Sequence, residues 1–190
     1  MHGAVLQQRQ RLHQFDFIRL LGALERNAAE SGGARGVLES VDPYPPAFLL
    51  GRDDLTLHRK PVQDVPLERF TTLGNGDILF IDSSHVLKIG SDVQHEYLEI
   101  VPSLAPGVMV HAHDIHLPFE YPEAWIKQEF RYWNEQYLLQ AFLSHNAAFE
   151  VVLANQLLHR EHAALLKESL SFYLGADDGP GSFWFRRKAE

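Results

Sequence analysis

Between Asp77 and His116 the chain twice runs apolar and then stops abruptly on polar residues. Ile78-Leu-Phe-Ile81 gives way to Asp82-Ser-Ser-His85, and Val108-Met-Val110 gives way to His111-Ala-His113-Asp114-Ile-His116. Short unbroken apolar runs of this kind suit strands buried on both faces, as in a parallel sheet. The segment between them, Asp92 to Pro102, has the length and pattern of a crossover helix. Both strands end on side chains that can hold a proton or a metal, at the carboxyl edge where open α/β sheets place their ligands.

The flanking chain fits an α/β alternation. Leu6, His13, Phe17, Leu20, Leu21, Leu24 and Ala28 recur at helical spacing before Ser31-Gly32-Gly33, which predicts one helix over residues 4–30. Val37-Leu-Glu-Ser-Val41 predicts a strand ending on Asp42, and Pro43-Tyr-Pro-Pro46 takes the chain out of regular structure. Leu55 to His58 reads as a short strand and Leu67 to Leu73 as a short helix. Ile126, Phe130, Trp133, Tyr137 and Ala141 form one stripe, widened by Leu138 and Phe142, and predict a long helix over 124–143. The polar inset Asn134-Glu135-Gln136 allows a ligand contact there, but a packed aromatic helix is the simpler reading. Phe149 to Leu153 predicts a strand, Arg160 to Leu174 a helix, Asp177 to Gly181 a hairpin-like turn, and Ser182 to Arg186 a last strand.

Composition narrows the function. A length of 190 residues suits one domain with a real core, and no internal repeat is present. A net charge of -8 with scattered Lys and Arg argues against nucleic acid or an anionic membrane as partner. Without cysteine a metal would be held by oxygen and imidazole. Neither a signal-peptide pattern nor a membrane-length apolar run is present, so a cytoplasmic protein is expected. Of the 11 histidines, His85, His95, His111, His113 and His116 crowd into the central stretch.

Neighbouring strands lie about 5 Å apart, so acids at equivalent strand ends can share one cation. Asp82, His113 and Asp114 are therefore a candidate ligand set for a divalent ion; the plainer alternative is that they end strands and satisfy loop amides. Asp42 is a candidate grip for a ribose hydroxyl, or equally a turn opener.

Several segments together resemble a bacterial family of class I S-adenosylmethionine-dependent methyltransferases. They are Val-Asp42-Pro-Tyr-Pro, Val-Gln63-Asp64, Gly-Asp-Ile-Leu-Phe-Ile-Asp82-Ser-Ser-His85, Gly-Ser-Asp92-Val, Pro-Gly-Val-Met-Val-His-Ala-His113-Asp114-Ile and Tyr-Trp-Asn-Glu-Gln-Tyr137. The resemblance runs from about Val37 to the end. It implies a Rossmann-like α/β fold with a mostly parallel sheet and an antiparallel last strand, Ser182 to Arg186, beside Val108 to His111. It implies S-adenosylmethionine as cofactor, with Asp42 at the ribose, Gln63 and Asp64 at the adenine, and Asp82 and Ser83 beside them. Related metal-dependent O-methyltransferases hold Mg2+ or Mn2+ where this chain has Asp82, His113 and Asp114, and some sugar O-methyltransferases place a general base where it has His85. A base beside a cation is expected to have a lowered pKa and be neutral at working pH. The acceptor would be a hydroxyl of a small molecule or sugar.

The chain departs from the family in lacking a Glu-x-Gly-x-Gly-type loop after a first strand; Phe15-Asp16-Phe17 is no glycine turn. The sequence thus predicts a first strand that is missing or divergent, with residues 1–35 as a divergent helical segment. An apolar sheet edge left open in that way would call for a homodimer. The missing loop also keeps a catalytically inactive, methyltransferase-like protein in view. A metal-dependent hydrolase is a more distant rival, resting on His111-x-His113-Asp114-x-His116.

Overall fold

The structure is a computed structural model that describes residues 4–8, 14–170, 173, 175 and 179–189. Its centre is a seven-stranded sheet in the order β3-β2-β1-β4-β5-β7-β6. In chain order the elements begin with β1 (Ala4–Gln8), α1 (Gln14–Ser31), β2 (Val37–Val41), β3 (Thr56–His58), α2 (Glu68–Thr71) and β4 (Ile78–Ile81). The crossover after β4 starts as α3 (Asp92–His95), widens into a π-turn over Glu96–Ile100 and closes as α4 (Val101–Ser103). Then come β5 (Met109–His113), α5 (Glu123–Lys127), α6 (Glu135–Leu143), β6 (Phe149–Ala154), α7 (Asn155–Glu161), α8 (Ala163–Ser169) and β7 (Ser182–Arg187).

The first five strands are parallel. β7 runs antiparallel between β5 and β6, with Met109 opposite Arg186 and His113 opposite Ser182; its seating beside β5 is the one the family resemblance implies. Alternation along β4 divides the core: Leu79 and Ile81 join Tyr97, Val110 and Phe185 on one face, while Phe80 joins Leu21, Leu24, Leu38 and Leu49 on the other. With both faces covered, β4 and β5 are apolar at nearly every position until their carboxyl ends.

Three helical expectations need correction. Residues 4–30 are not one helix: Ala4–Gln8 is β1, paired in parallel with both β2 and β4 at the middle of the sheet. The first strand is present, so the open edge that called for a second copy is closed within the chain. Five residues of Ala-Val-Leu-Gln-Gln carry too little pattern to announce a strand, and two flanking strands supply what the local sequence lacks.

Residues 124–143 form two helices rather than one. The break is at Phe130, which sits at φ 56, with the turn closed by Arg131 N–H donating to the Trp125 carbonyl. Arg131 then lies over the rings of both Trp125 and Trp133. The predicted helix over 160–174 is likewise split, into α7 and α8; its end, like Asp177 and Asp178 of the expected turn, lies outside the described residues.

Gly107 opens β5 at φ 86, and a Cβ there would run into the Asn75 side chain. Its backbone N–H donates to the Arg187 carbonyl and its carbonyl accepts from Gly76. Gly107→Ala is expected to cost about 1–3 kcal/mol from the left-handed backbone alone, seen as a lower urea midpoint. An unchanged midpoint would mean the turn relaxes freely.

Candidate active site

The loop leaving β4 is held from three sides. Asp92 at the start of α3 accepts from Ser84 N–H at 2.7 Å and from the Ser84 hydroxyl at 2.5 Å. His85 takes a left-handed backbone, φ 59, which aims its carbonyl at the start of α6, where Asn134 and Glu135 N–H donate to it at 3.0 and 3.2 Å. Asn134 Oδ1 accepts from Leu87 N–H at 2.6 Å, closing the clasp. A non-glycine residue at positive φ is costly unless its surroundings fix it, and such residues concentrate at functional sites. Asp114, at the end of β5, is a second, with φ 54.

Beneath the loop lies Glu135, fully buried at the first turn of α6. Its Oε2 accepts from the Ser83 hydroxyl at 2.9 Å and pairs with His85 Nδ1 at 2.7 Å. Its Oε1 accepts from the Tyr97 hydroxyl at 2.7 Å, where the π-turn points Tyr97 into the core. On the other side of the imidazole, His85 Nε2 stands 3.5 Å from Asp82 Oδ1 and 3.9 Å from Asp114 Oδ2. Trp133 covers the ring at 4.0 Å between centroids.

This setting reverses the expected state of His85. Burial pulls its pKa down, but the bonds to Asp82 and Glu135, and their charges, push it up by more, to about 10. His85 is an imidazolium at neutral pH and has no lone pair with which to accept a proton. Burial, reinforced by the charges of Glu135 and Asp92, raises the Glu96 pKa well above the carboxylate range. That fits a neutral carboxyl whose oxygens have no hydrogen-bond partner among the described residues. Burial also raises the pKa of Asp114, against the pull of His113 and His85.

The expected metal ligands do not come together as a metal centre. The positive charge between Asp82 and Asp114 is the His85 ring itself. His113 stacks on Phe80, its Nδ1 lies 3.3 Å from His111 Nε2, and its Nε2 is 3.7 Å from Asp114 Oδ1. Among the described residues no group of three His, Asp or Glu side chains is arranged to hold an ion. The hydrolase constellation falls apart in the same way. His111 is sandwiched by Phe80 and the edge of Trp184, whereas His116 packs against Tyr121 and Trp125.

The expected cofactor residues follow the carboxyl edge of the sheet. Asp42 is buried directly after β2, its Oδ1 accepting from Tyr44 N–H at 2.8 Å. Gln63 and Asp64 are exposed on the 3-10 turn Val62–Asp64 after β3, and Gln63 Nε2 donates to the Gly90 carbonyl. Asp82 is buried after β4. Ser83 differs: it is fully buried, and its hydroxyl serves Glu135 and the His85 N–H. Acids and an amide at successive strand ends suit the hydroxyl and amino donors of a nucleoside, so the donor set fits the cofactor in kind. Residues 9–13, Arg-Gln-Arg-Leu-His, connect β1 to α1 without a glycine and lie outside the described residues.

Beyond the end of β5 a cavity of about 260 Å3 is lined by Asp114, His116, Pro122, Ala124, Trp125, Glu129, Gly179 and Gly181. Burial, with the charge of Arg160 adding to it, lowers the His116 pKa to about 4. Tyr97, Glu96 and the central role of Glu135 escape sequence reasoning. The one available signal is the polar inset Asn134-Glu135-Gln136 in an otherwise apolar stripe.

A parallel sheet ordered 3-2-1-4-5 with an antiparallel seventh strand between the fifth and sixth, and polar groups gathered along its carboxyl edge, defines a class I methyltransferase fold. The family model described as a methyltransferase domain matches residues 7–115, more than half of the chain. The chain belongs to this family, whose members are S-adenosylmethionine-dependent methyltransferases. Among solved structures it is similar to a protein from Thermobifida fusca YX provisionally named a methyltransferase. The two are 14% identical, with 98% of this chain and 74% of that one covered and a TM-score of 0.49. The plantazolicin methyltransferase BamL, solved with a triazolic desmethylPZN analog and SAH, gives 14% identity, 98% and 77% coverage and the same TM-score of 0.49. A 16S rRNA adenine N1-methyltransferase from Catenulisporales acidiphilia gives 13% identity, 98% and 87% coverage and a TM-score of 0.42. No curated protein sequence matches significantly. Among the described residues no helix is long and apolar enough to cross a membrane.

Proposed function

We propose that the chain is a single-domain methyltransferase that moves a methyl group from S-adenosylmethionine to a hydroxyl of a small molecule or sugar. The observation that supports this most is the continuity of the carboxyl edge: Asp42, the Val62–Asp64 turn and Asp82 follow β2, β3 and β4, and Asp114 links them to the cavity after β5. When bound, the cofactor supplies an electrophilic methyl on a sulfonium. Asp42 would take the ribose hydroxyls, and Gln63 and Asp64 the adenine edge. Asp82 stays beside the cofactor, facing His85 Nε2 at 3.5 Å. Ser83 serves the fold instead, by anchoring Glu135.

His85 carries a different role from a base. Its Nδ1–H donates to Glu135, and its charge holds Asp82 and Asp114 on one side of the ring, so it organises the edge without removing a proton. Displacement at a methyl carbon depends on alignment of acceptor, methyl and leaving sulfur, and a rigid loop supplies that alignment. No step of this reading passes through a divalent ion.

The specific observation favouring a second reading, a methyltransferase-like protein without activity, is the glycine-free segment 9–13. Isothermal calorimetry with S-adenosylmethionine and its demethylated product separates the two. Binding of both is expected, and Asp42→Ala should weaken it roughly tenfold or more, since a hydrogen bond to a charged group is worth about 1.5–3 kcal/mol. Absence of heat for either compound would hand the case to the inactive reading.

A further inference from the structure

From the cavity after β5 we infer a binding site for a single uncharged hydroxylated ring, with His116 as the side chain that hydrogen-bonds the ring's hydroxyl; this rests on the methyl-transfer reading and names its acceptor site. His116 is 2% exposed, lines the cavity, and neither ring nitrogen has a hydrogen-bond partner among the described residues. A buried imidazole without partners forfeits the hydrogen bonds it would make in water, and a ligand group that restores one recovers that loss. Its orientation is nonetheless fixed. Its backbone N–H donates to Gln136 Oε1 at 3.2 Å, Trp125 meets the ring edge-on at 5.0 Å, and Tyr121 lies at 5.8 Å.

The walls select the class of ligand. Pro122, Ala124 and Trp125 offer an apolar side to a ring, and the carboxyl groups of Asp114 and Glu129 accept hydroxyl donors, Glu129 while paired with Arg131. A volume of about 260 Å3 falls just below the usual range for small-molecule pockets, about 300–1,000 Å3. It admits one ring. Gly181 keeps the space open: a Cβ there would come within 3.2 Å of both Asp114 Oδ1 and His116 Nε2. Asp114 also faces His85 at 3.9 Å, which puts the cavity next to the loop that closes the cofactor edge.

The test is protein-observed NMR of the full chain, following the His116 ring resonances during titration with catechol and, separately, with methyl glucoside. At least one is expected to shift the His116 ring and saturate. Gly181→Leu, which fills the cavity from a loop, should abolish the shift while leaving the affinity for S-adenosylmethionine within about twofold. In His116→Ala, where the Trp125 indole resonance is followed instead, the same probe should bind about tenfold more weakly, the scale of one hydrogen bond to a buried group. Response to catechol alone identifies a phenolic site, and response to methyl glucoside alone a sugar site; each supports the inference. If neither probe moves the His116 ring of the unmodified protein, or binding survives both substitutions, the inference is overturned even where the cofactor binds. Probe binding without cofactor binding supports the cavity and removes methyl transfer as its purpose.

Discussion

Glu135→Ala is expected to lower the free energy of unfolding by about 3–5 kcal/mol, the cost of removing one partner from a buried ionic cluster. The carboxylate is fully buried and takes bonds from Ser83, His85 and Tyr97 at once, so its loss leaves three groups to find new partners in a space closed to water. The imidazolium of His85 would keep only the longer contacts to Asp82 and Asp114. Glu135→Gln should fall between, because the amide oxygen still accepts from two of the three donors. Tyr97→Phe, which deletes one hydroxyl, should cost about 1–3 kcal/mol. Urea unfolding at neutral pH measures all three. A loss below about 1 kcal/mol for Glu135→Ala would show that the cluster is not what holds the loop and α6 together.

The second large effect is in pH. His85 is raised to about 10 from the ordinary imidazole value of 6.5. The folded protein therefore holds this proton more tightly than the unfolded chain does. The stabilisation is complete below about pH 6.5 and disappears as pH rises through about 10, and it amounts on the order of a few kcal/mol. Unfolding free energy should thus decline on the alkaline side, and the decline should be much smaller in His85→Gln, whose difference from the unmodified protein isolates this group from other titrations. Nitrogen-15 NMR of the histidine ring at pH 8 is the direct check, with both ring nitrogens expected to carry hydrogen. A neutral tautomer at pH 8 would contradict the assignment and return the ring to service as a base.

That reversal shows where sequence reasoning stopped. Asp82, Ser83 and His85 are close along the chain, and their position after an apolar run is enough to place them at a strand end. The sign of the His85 shift depends on Asp82, three residues away, together with Glu135, fifty residues away. The carboxyl groups of Asp82 and Glu135 together outweigh burial, which by itself would lower the pKa. The proposed ion site turns on the same contact: the acids after β4 and β5 do approach one another, but across the His85 ring.

The sequence by itself determined the strands β2 to β7 and the crossover helix between β4 and β5, while the antiparallel seating of the last strand beside β5 came from the family resemblance. Strands buried on both faces must be apolar throughout and polar at their ends, and that pattern is local. Tertiary structure decided β1, whose five residues become a strand because β2 and β4 offer hydrogen bonds on both sides. It also decided the break at Phe130. The apolar stripe over 124–143 would support one continuous helix, but only a broken one can start α6 at Glu135, turn that carboxylate toward His85, and leave Arg131 over the Trp125 and Trp133 rings. Periodicity reports which side of an element is buried; it carries no information about a distant partner that makes a break worth more than another turn of helix.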